Sequence, residues 1–212
     1  MNYKSNLNST NYLKLLDEIS KYSQTDLMVV TKNQSELTVM DLINKGQRIF
    51  GENRIQEAKS KFSNISSELY QLHLIGPLQS NKVKMALNTF DVIQSIDRPK
   101  IVHEIAKFLP NTPKTKEFYI QINIGKEQQK SGVMPELIQN FYDACIENNL
   151  SITGLMCIPP LDQPAEFYFK KMIEIKNNIN PNLKLSMGMS NDYKLALDLG
   201  SNLIRVGSLL FK

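Results

Sequence analysis

Lys32 stands at the end of the apolar run Leu27-Met28-Val29-Val30-Thr31, where an ammonium interrupts what otherwise reads as a core strand. Burying an unpaired lysine is costly, so an amine in such a place sheds its charge or finds a special partner. With its pKa lowered, it becomes a nucleophile suited to Schiff-base chemistry. The plainer reading is a strand that ends in a solvated lysine. Two later segments carry the complementary chemistry: Ser186-Met187-Gly188-Met189-Ser190 and Arg205-Val206-Gly207-Ser208. Each offers a glycine for close backbone approach and a hydroxyl, and the first leads into a helical pattern whose free N–H groups attract an anion. Each also has a plainer role, since glycines end strands, Ser190 can be only a helix cap, and Arg205 can pair with a carboxylate. An amine facing an anion cradle suits a phosphorylated carbonyl ligand.

For these residues to meet, the fold must bring together segments far apart in the chain. Short apolar, β-branched or aromatic runs recur at 27–32, 48–53, 69–76, 92–97, 117–123, 152–159, 183–189 and 203–208. Between them the apolar period changes from 2 to about 3.6. Ser35 is a good N-cap before the stripe Leu37, Met40 and Ile43, and Gly46 marks the exit. Pro135 opens a helix with Leu137, Ile138, Phe141, Cys145 and Ile146 on one face, and Ser190 caps a short helix through Leu195 and Leu199 that Gly200 closes. Strands alternating with helices imply parallel pairing, and eight such units close into a (β/α)8 TIM barrel. The segment carrying Leu13, Leu15, Leu16 and Ile19 predicts an extra N-terminal helix packed outside. No linker or composition shift divides the 212 residues, so 1–212 reads as one domain.

Bulk composition narrows the function. Hydrophobic content of 42% and charged content of 22% suit a soluble globular protein, and the net charge of +4 is spread along the chain. Its densest set, Lys107 through Lys116, is broken by prolines and reads as a solvated loop. Without an arginine stripe, aromatic platform or zinc spacing, no nucleic-acid partner and no metal is expected. Cys145 and Cys157 give no disulfide framework, suit a reducing compartment and read as core residues. The polar N-terminus has no apolar signal region and no stretch reaches membrane-spanning length, which predicts a cytoplasmic protein without a membrane partner.

In such a barrel the site lies at the C-terminal ends of the strands, with phosphate held after strands seven and eight. Lys32, Asn53 and Asn123 end strands one, two and five, His73 and Met156 lie within strands three and six, and Ser190, Arg205, Gly207 and Ser208 fall in the phosphate-binding region. Sugar-phosphate aldolases and pyridoxal phosphate proteins both fit. Arg205 favours the second, because a permanent donor can hold a pyridine nitrogen as an unprotonated acceptor and so weaken the ring as an electron sink.

VVTK at the lysine, FGENRIQEAKSK from Phe50, HLIGPLQSNK from His73, IQSID from Ile93, GLMCIP from Gly154, LSMGMSNDY from Leu185 and RVGS from Arg205 stand in fixed order along the chain. So does QIN with the downstream Glu127, Lys130 and Gly132. Together they resemble the pyridoxal 5′-phosphate (PLP) homeostasis proteins of the YggS/PROSC type. The resemblance implies a fold-type III, alanine-racemase-like barrel carrying PLP. Lys32 matches the aldimine-forming position, and Ser190, Gly207 and Ser208 the phosphate cradle. Arg205 matches the residue facing the pyridine nitrogen, Asn53 a second-strand position lining the cofactor, and His73 a position near the ring. Three features depart from the family pattern: Leu72 replaces a tryptophan, Ser208 replaces a threonine while keeping the hydroxyl, and the chain ends at Phe211-Lys212 without a glycine and short tail.

Racemases with this barrel add a β-domain and a tyrosine base from a partner subunit, and two-sided proton transfer needs that second group. The barrel uses this chain to its end, and Tyr70 and Tyr119 read as packing residues. The expectation is therefore a monomeric, non-enzymatic PLP carrier that limits free aldehyde and supplies PLP-dependent apoenzymes. The alternatives are a low-activity amino-acid racemase and, further off, a Schiff-base aldolase.

Overall fold

The computed structural model describes residues 5–111 and 113–211. The polar first four residues, Thr112 within the Lys107–Lys116 segment, and Lys212 lie outside them. Helix α1 (Ser9–Ile19) precedes eight parallel strands: β1 (Asp26–Val30), β2 (Ile49–Glu52), β3 (Gln71–Leu74), β4 (Val92–Ile96), β5 (Glu117–Ile122), β6 (Ile152–Cys157), β7 (Lys184–Ser186) and β8 (Leu203–Val206). They pair in sequence order, and β8 closes on β1 with Val29 opposite Val206 and, on its other side, Phe50. Successive gaps hold α2 (Glu36–Asn44), α3 (Ile55–Phe62), α4 (Val83–Thr89), α5 (Pro99–Ala106), α6 (Ile138–Glu147), α7 (Ala165–Ile179) and α8 (Tyr193–Asp198). The expected (β/α)8 barrel with its outer N-terminal helix is what forms.

Alternation along each strand separates two environments. Val29, Phe50, Leu72, Ile93, Phe118, Leu155 and Ile204 point outward into one continuous core with the helices. The residues between them turn into the lumen, where Met28, His73, Gln94, Met156, Ser186 and Arg205 are all buried. A lumen with this much polar surface must satisfy it internally, and the resulting network shapes the site.

Several local expectations shift. Strand β7 stops at Ser186, not Met189, because Gly188 turns the chain with φ +95°, and a Cβ there would lie 2.4 Å from the Ala196 Cβ. Strand β3 begins only at Gln71, since Ser67–Leu69 form a 3-10 turn. In α2 the Ser35 cap holds, its hydroxyl accepting from the Thr38 N–H, but Leu37 is exposed and Val39, Leu42 and Ile43 carry the buried face. In α6 the helix proper begins at Ile138 after a 3-10 turn at Pro135–Leu137, which leaves Leu137 and Ile146 outside while Ile138, Phe141 and Cys145 are buried. A 3-10 turn advances about 120° per residue instead of about 100°, so the apolar phase slips. Cys145 and Cys157 are buried free thiols, and burial pushes both up to about 12. No described helix is long and apolar enough to cross a membrane.

Candidate cofactor site

A cavity of about 350 Å³ opens at the C-terminal ends of the strands, and Lys32, Asn53, Ser190, Arg205, Gly207 and Ser208 all line it. These residues come from β1, β2, β7 and β8 or the turns that follow them, so barrel closure is what gathers them. Met156 also lies on its wall, as do the apolar side chains of Val30, Ile75 and Ile158.

Lys32 lies beyond the end of β1 and is exposed, as in the plainer reading of a strand ending in a solvated lysine. The strand stops at Val30, the Thr31 hydroxyl turns aside to Glu52, and Asn33 bends the chain with φ +61°. The amine therefore stands at the cavity wall in reach of solvent. The nearby carboxylates of Glu52 and Glu57 are taken by Lys61.

After the neighbouring strand β8 and after β7, the two hydroxyl-bearing turns meet, with Ser208 Oγ donating to Ser190 Oγ at 3.0 Å. Ser190 is not the cap of α8: that position is Asp192, whose Oδ1 accepts from the Met189 N–H at 2.6 Å. Helix α8 starts only at Tyr193, so the backbone N–H groups around Ser190 belong to a loop and not to a helix terminus. The N–H groups of Ser190, Asn191, Gly207 and Ser208 donate to no protein group among the described residues. A Cβ on Gly207 would sit 3.0 Å from the Val30 carbonyl, so a larger residue would crowd this cradle. Free amides converging with two hydroxyls form the donor set a phosphate monoester needs.

Arg205 enters from the lumen and is 4% exposed. It pairs with no carboxylate among the described residues. Its guanidinium instead donates to the Ser186 carbonyl (2.6 Å), Ser186 Oγ (2.8 Å) and the Cys157 carbonyl (2.7 Å). Five N–H donors are available on a guanidinium, so capacity remains for a ligand. Burial pulls its pKa below the usual value, the signature of a cation kept in a poorly solvated place.

His73 does not reach the cavity wall. It lies within β3 facing the lumen, 3% exposed, and touches the site only through a chain of hydrogen bonds. Gln94 Nε2 lies 2.8 Å from His73 Nδ1, and Ser186 Oγ donates to Gln94 Oε1 at 2.8 Å. Arg205 can only donate, so its bond to Ser186 Oγ sends the serine proton to Gln94, whose amide must then donate to the imidazole. His73 thus carries its own proton on Nε2, a buried atom without a partner. Burial pushes its pKa down to about 3, with the Lys184 charge adding to the effect, so the ring is neutral. Gln94 was the residue missed by sequence reasoning. Its signal was a polar side chain in the otherwise closed run Val92–Ile96, every position of which is buried.

Asn53 sits between the main cavity and an adjoining one of about 210 Å³, lined also by Asn123 and Lys130. Asn123 is occupied with its own loop, Nδ2 donating to the Glu127 carbonyl at 2.7 Å and Oδ1 accepting from the Glu127 N–H at 3.0 Å. Neither Tyr70 nor Tyr119 lines the main cavity. Tyr119 is buried against Val92 and Met156.

The family profile of the alanine racemase N-terminal domain matches residues 9–212. The pyridoxal phosphate homeostasis protein of Haemophilus influenzae is 36% identical over 208 residues, spanning 92% of this chain and 87% of the relative. That of Aquifex aeolicus is 33% identical over 194 residues, spanning 87% and 85%. Among solved structures, PipY of Synechococcus elongatus PCC7942 with PLP bound superposes with a TM-score of 0.83 at 29% identity, covering 96% of this chain and 99% of that one. The fold is thus shared with a solved structure and the sequence match spans most of the chain: the chain belongs to the pyridoxal phosphate homeostasis protein family, within the alanine racemase N-terminal domain fold.

Proposed function

We propose that this chain binds pyridoxal 5′-phosphate and holds it covalently through Lys32. The observation that carries the reading is that Lys32, Arg205 and the Ser190–Ser208 pair line one cavity. The donor set fits the cofactor at each end. Ser190, Gly207 and Ser208 with their free amides take the phosphate, Arg205 takes the ring nitrogen, and Asn53 flanks the ring. His73 acts at one remove, through Gln94 and Ser186, by fixing the orientation of Arg205. Condensation of the Lys32 amine with the aldehyde releases one water and needs no other reactant. When bound, the cofactor supplies an electron-withdrawing ring. Arg205, as a donor-only cation, keeps the ring nitrogen unprotonated and restrains that power.

The role we assign is homeostatic: a monomeric cytoplasmic carrier that limits free aldehyde and passes it to PLP-dependent apoenzymes, without turnover. Its support is the lack of a second acid–base group facing Lys32. Among the described lining residues the sole carboxylate is Asp192, and the Met189 N–H engages it. Borohydride reduction of the PLP-loaded protein followed by peptide mapping is expected to recover the label on Lys32. A label confined to another peptide contradicts the attachment. Optical inversion of a single amino-acid enantiomer, lost in Lys32→Ala, would favour a low-activity racemase instead.

A further inference from the structure

The two neighbours of Lys32 in the chain are tied to one buried group of charges. On the strand side, Thr31 Oγ1 donates to Glu52 Oε1 at 2.7 Å, and the Thr31 carbonyl accepts from Lys61 Nζ at 2.5 Å. On the far side, the Asn33 N–H donates to Glu57 Oε1 at 2.5 Å. Lys61 joins the two carboxylates, 2.6 Å from Glu52 and 3.0 Å from Glu57. Glu52 is fully buried and Lys61 is 6% exposed, so water competes little for the bonds on the Thr31 side, whereas Glu57 is half-buried and its bond to the Asn33 N–H is exposed.

Stability alone gives a poor account of this cluster. Taking an ion pair out of water costs about as much as the attraction returns, and apolar residues of similar size often do as well. Burial pushes the Glu52 carboxyl above its ordinary range, against the pull of Lys61 and Thr31. Burial also raises Glu57, but hydrogen bonds from Lys61 and the Asn33 N–H bring it below the ordinary value. The bonds do constrain the backbone. Asn33 holds φ +61°, a left-handed conformation that asparagine tolerates better than most residues, and its N–H is anchored there by Glu57. None of Glu52, Glu57 and Lys61 lines the main cavity. They reach the site through the backbone that carries Lys32 and, at Glu52, through the neighbouring Asn53.

We propose that Glu52, Lys61 and Glu57 are positioning residues that clamp the chain on both sides of Lys32 and so present its amine to the cofactor. The proposal rests on the reading of Lys32 as the attachment point. Orientation of this kind governs the rate of condensation more than the affinity of the cavity.

The test compares the wild-type chain with Thr31→Val, which removes the hydroxyl bond to Glu52 and keeps the Lys61 bond to the carbonyl of that residue, with Glu57→Ala, which frees the Asn33 N–H, and with Glu57→Gln, which keeps an acceptor for it. Two quantities are measured. One is the affinity for pyridoxamine 5′-phosphate, which fills the cavity but cannot condense with a lysine. The other is the rate at which saturating PLP becomes fixed on Lys32 under borohydride quenching. The expected result is pyridoxamine phosphate affinity within about twofold of wild type throughout, condensation slowed about tenfold in Thr31→Val and Glu57→Ala, and most of the rate restored in Glu57→Gln. Wild-type rates in both released variants, or rates falling in step with pyridoxamine phosphate affinity, would overturn the proposal. Fixation of wild type at a residue other than Lys32 would instead refute the attachment reading beneath it.

Discussion

Arg205→Met is expected to weaken PLP binding by about 10- to 100-fold while moving the free energy of unfolding by less than about 2 kcal/mol. The first figure is what a hydrogen bond to a charged donor contributes, about 1.5–3 kcal/mol. The second reflects two opposing losses. Removing the guanidinium leaves the Ser186 and Cys157 carbonyls without their donor, yet it also removes a cation that burial disfavours and that pairs with no carboxylate among the described residues. A residue held at such poor return to the fold is there for its ligand. Arg205→Lys should not restore affinity, because a point charge lacks the planar fork that reaches both carbonyls and a ring nitrogen. Absorbance titration with PLP, paired with urea unfolding, measures both quantities. Undiminished affinity in Arg205→Met would remove the guanidinium from the site.

The second large effect is on acid stability. His73 has its pKa depressed from 6.5 to about 3 by burial, so the folded protein stays unprotonated there while the unfolded chain takes up a proton below pH 6.5. Between those two values the unfolded state binds more protons, and stability falls as the pH falls. The contribution is fully present above pH 6.5 and is lost progressively towards pH 3. From pH 6.5, where the unfolded imidazole is half protonated, to pH 4.5 the loss through this one residue is about 2 kcal/mol, since the slope reaches about 1.36 kcal/mol per unit only once the unfolded chain is fully protonated. Glu52 works the other way, since burial raises its pKa and the folded state takes its proton first on acidification. The difference between wild type and His73→Gln isolates the imidazole, and the glutamine keeps an acceptor for Gln94. Urea unfolding at the two pH values should show wild type losing about 2 kcal/mol more than the variant. Equal losses would mean that His73 is already solvated or charged in the folded protein.

The barrel was legible because parallel strands buried on both faces read as short apolar runs, and eight of them alternate with helical periods in this chain. What the runs do not carry is phase. Leu37 and Leu137 look like core residues by count, yet each lies in a first turn whose rotation depends on where the helix starts. The outline of the site was readable for a similar reason, since strand ends gather at one rim. The apolar run before Lys32 leaves open whether its amine is buried or solvated; the turn at Asn33 that exposes it takes a hydrogen bond from another element. Ser190 looked like a cap until Asp192 took that place. The network around His73, Gln94, Ser186 and Arg205 spans three-quarters of the barrel, and nothing local signals that these four meet. The clamp on Lys32 was half visible, as Glu57 and Lys61 are four apart on one helix. Its buried third member, Glu52, comes from a strand.

The most direct test is a crystal structure of this protein grown with PLP. The account predicts continuous density from Lys32 Nζ to the cofactor, a phosphate seated between Ser190 and Ser208, and the ring nitrogen within hydrogen-bond distance of Arg205. A cofactor bonded to a different lysine, or one whose phosphate lies away from those two serines, would contradict it.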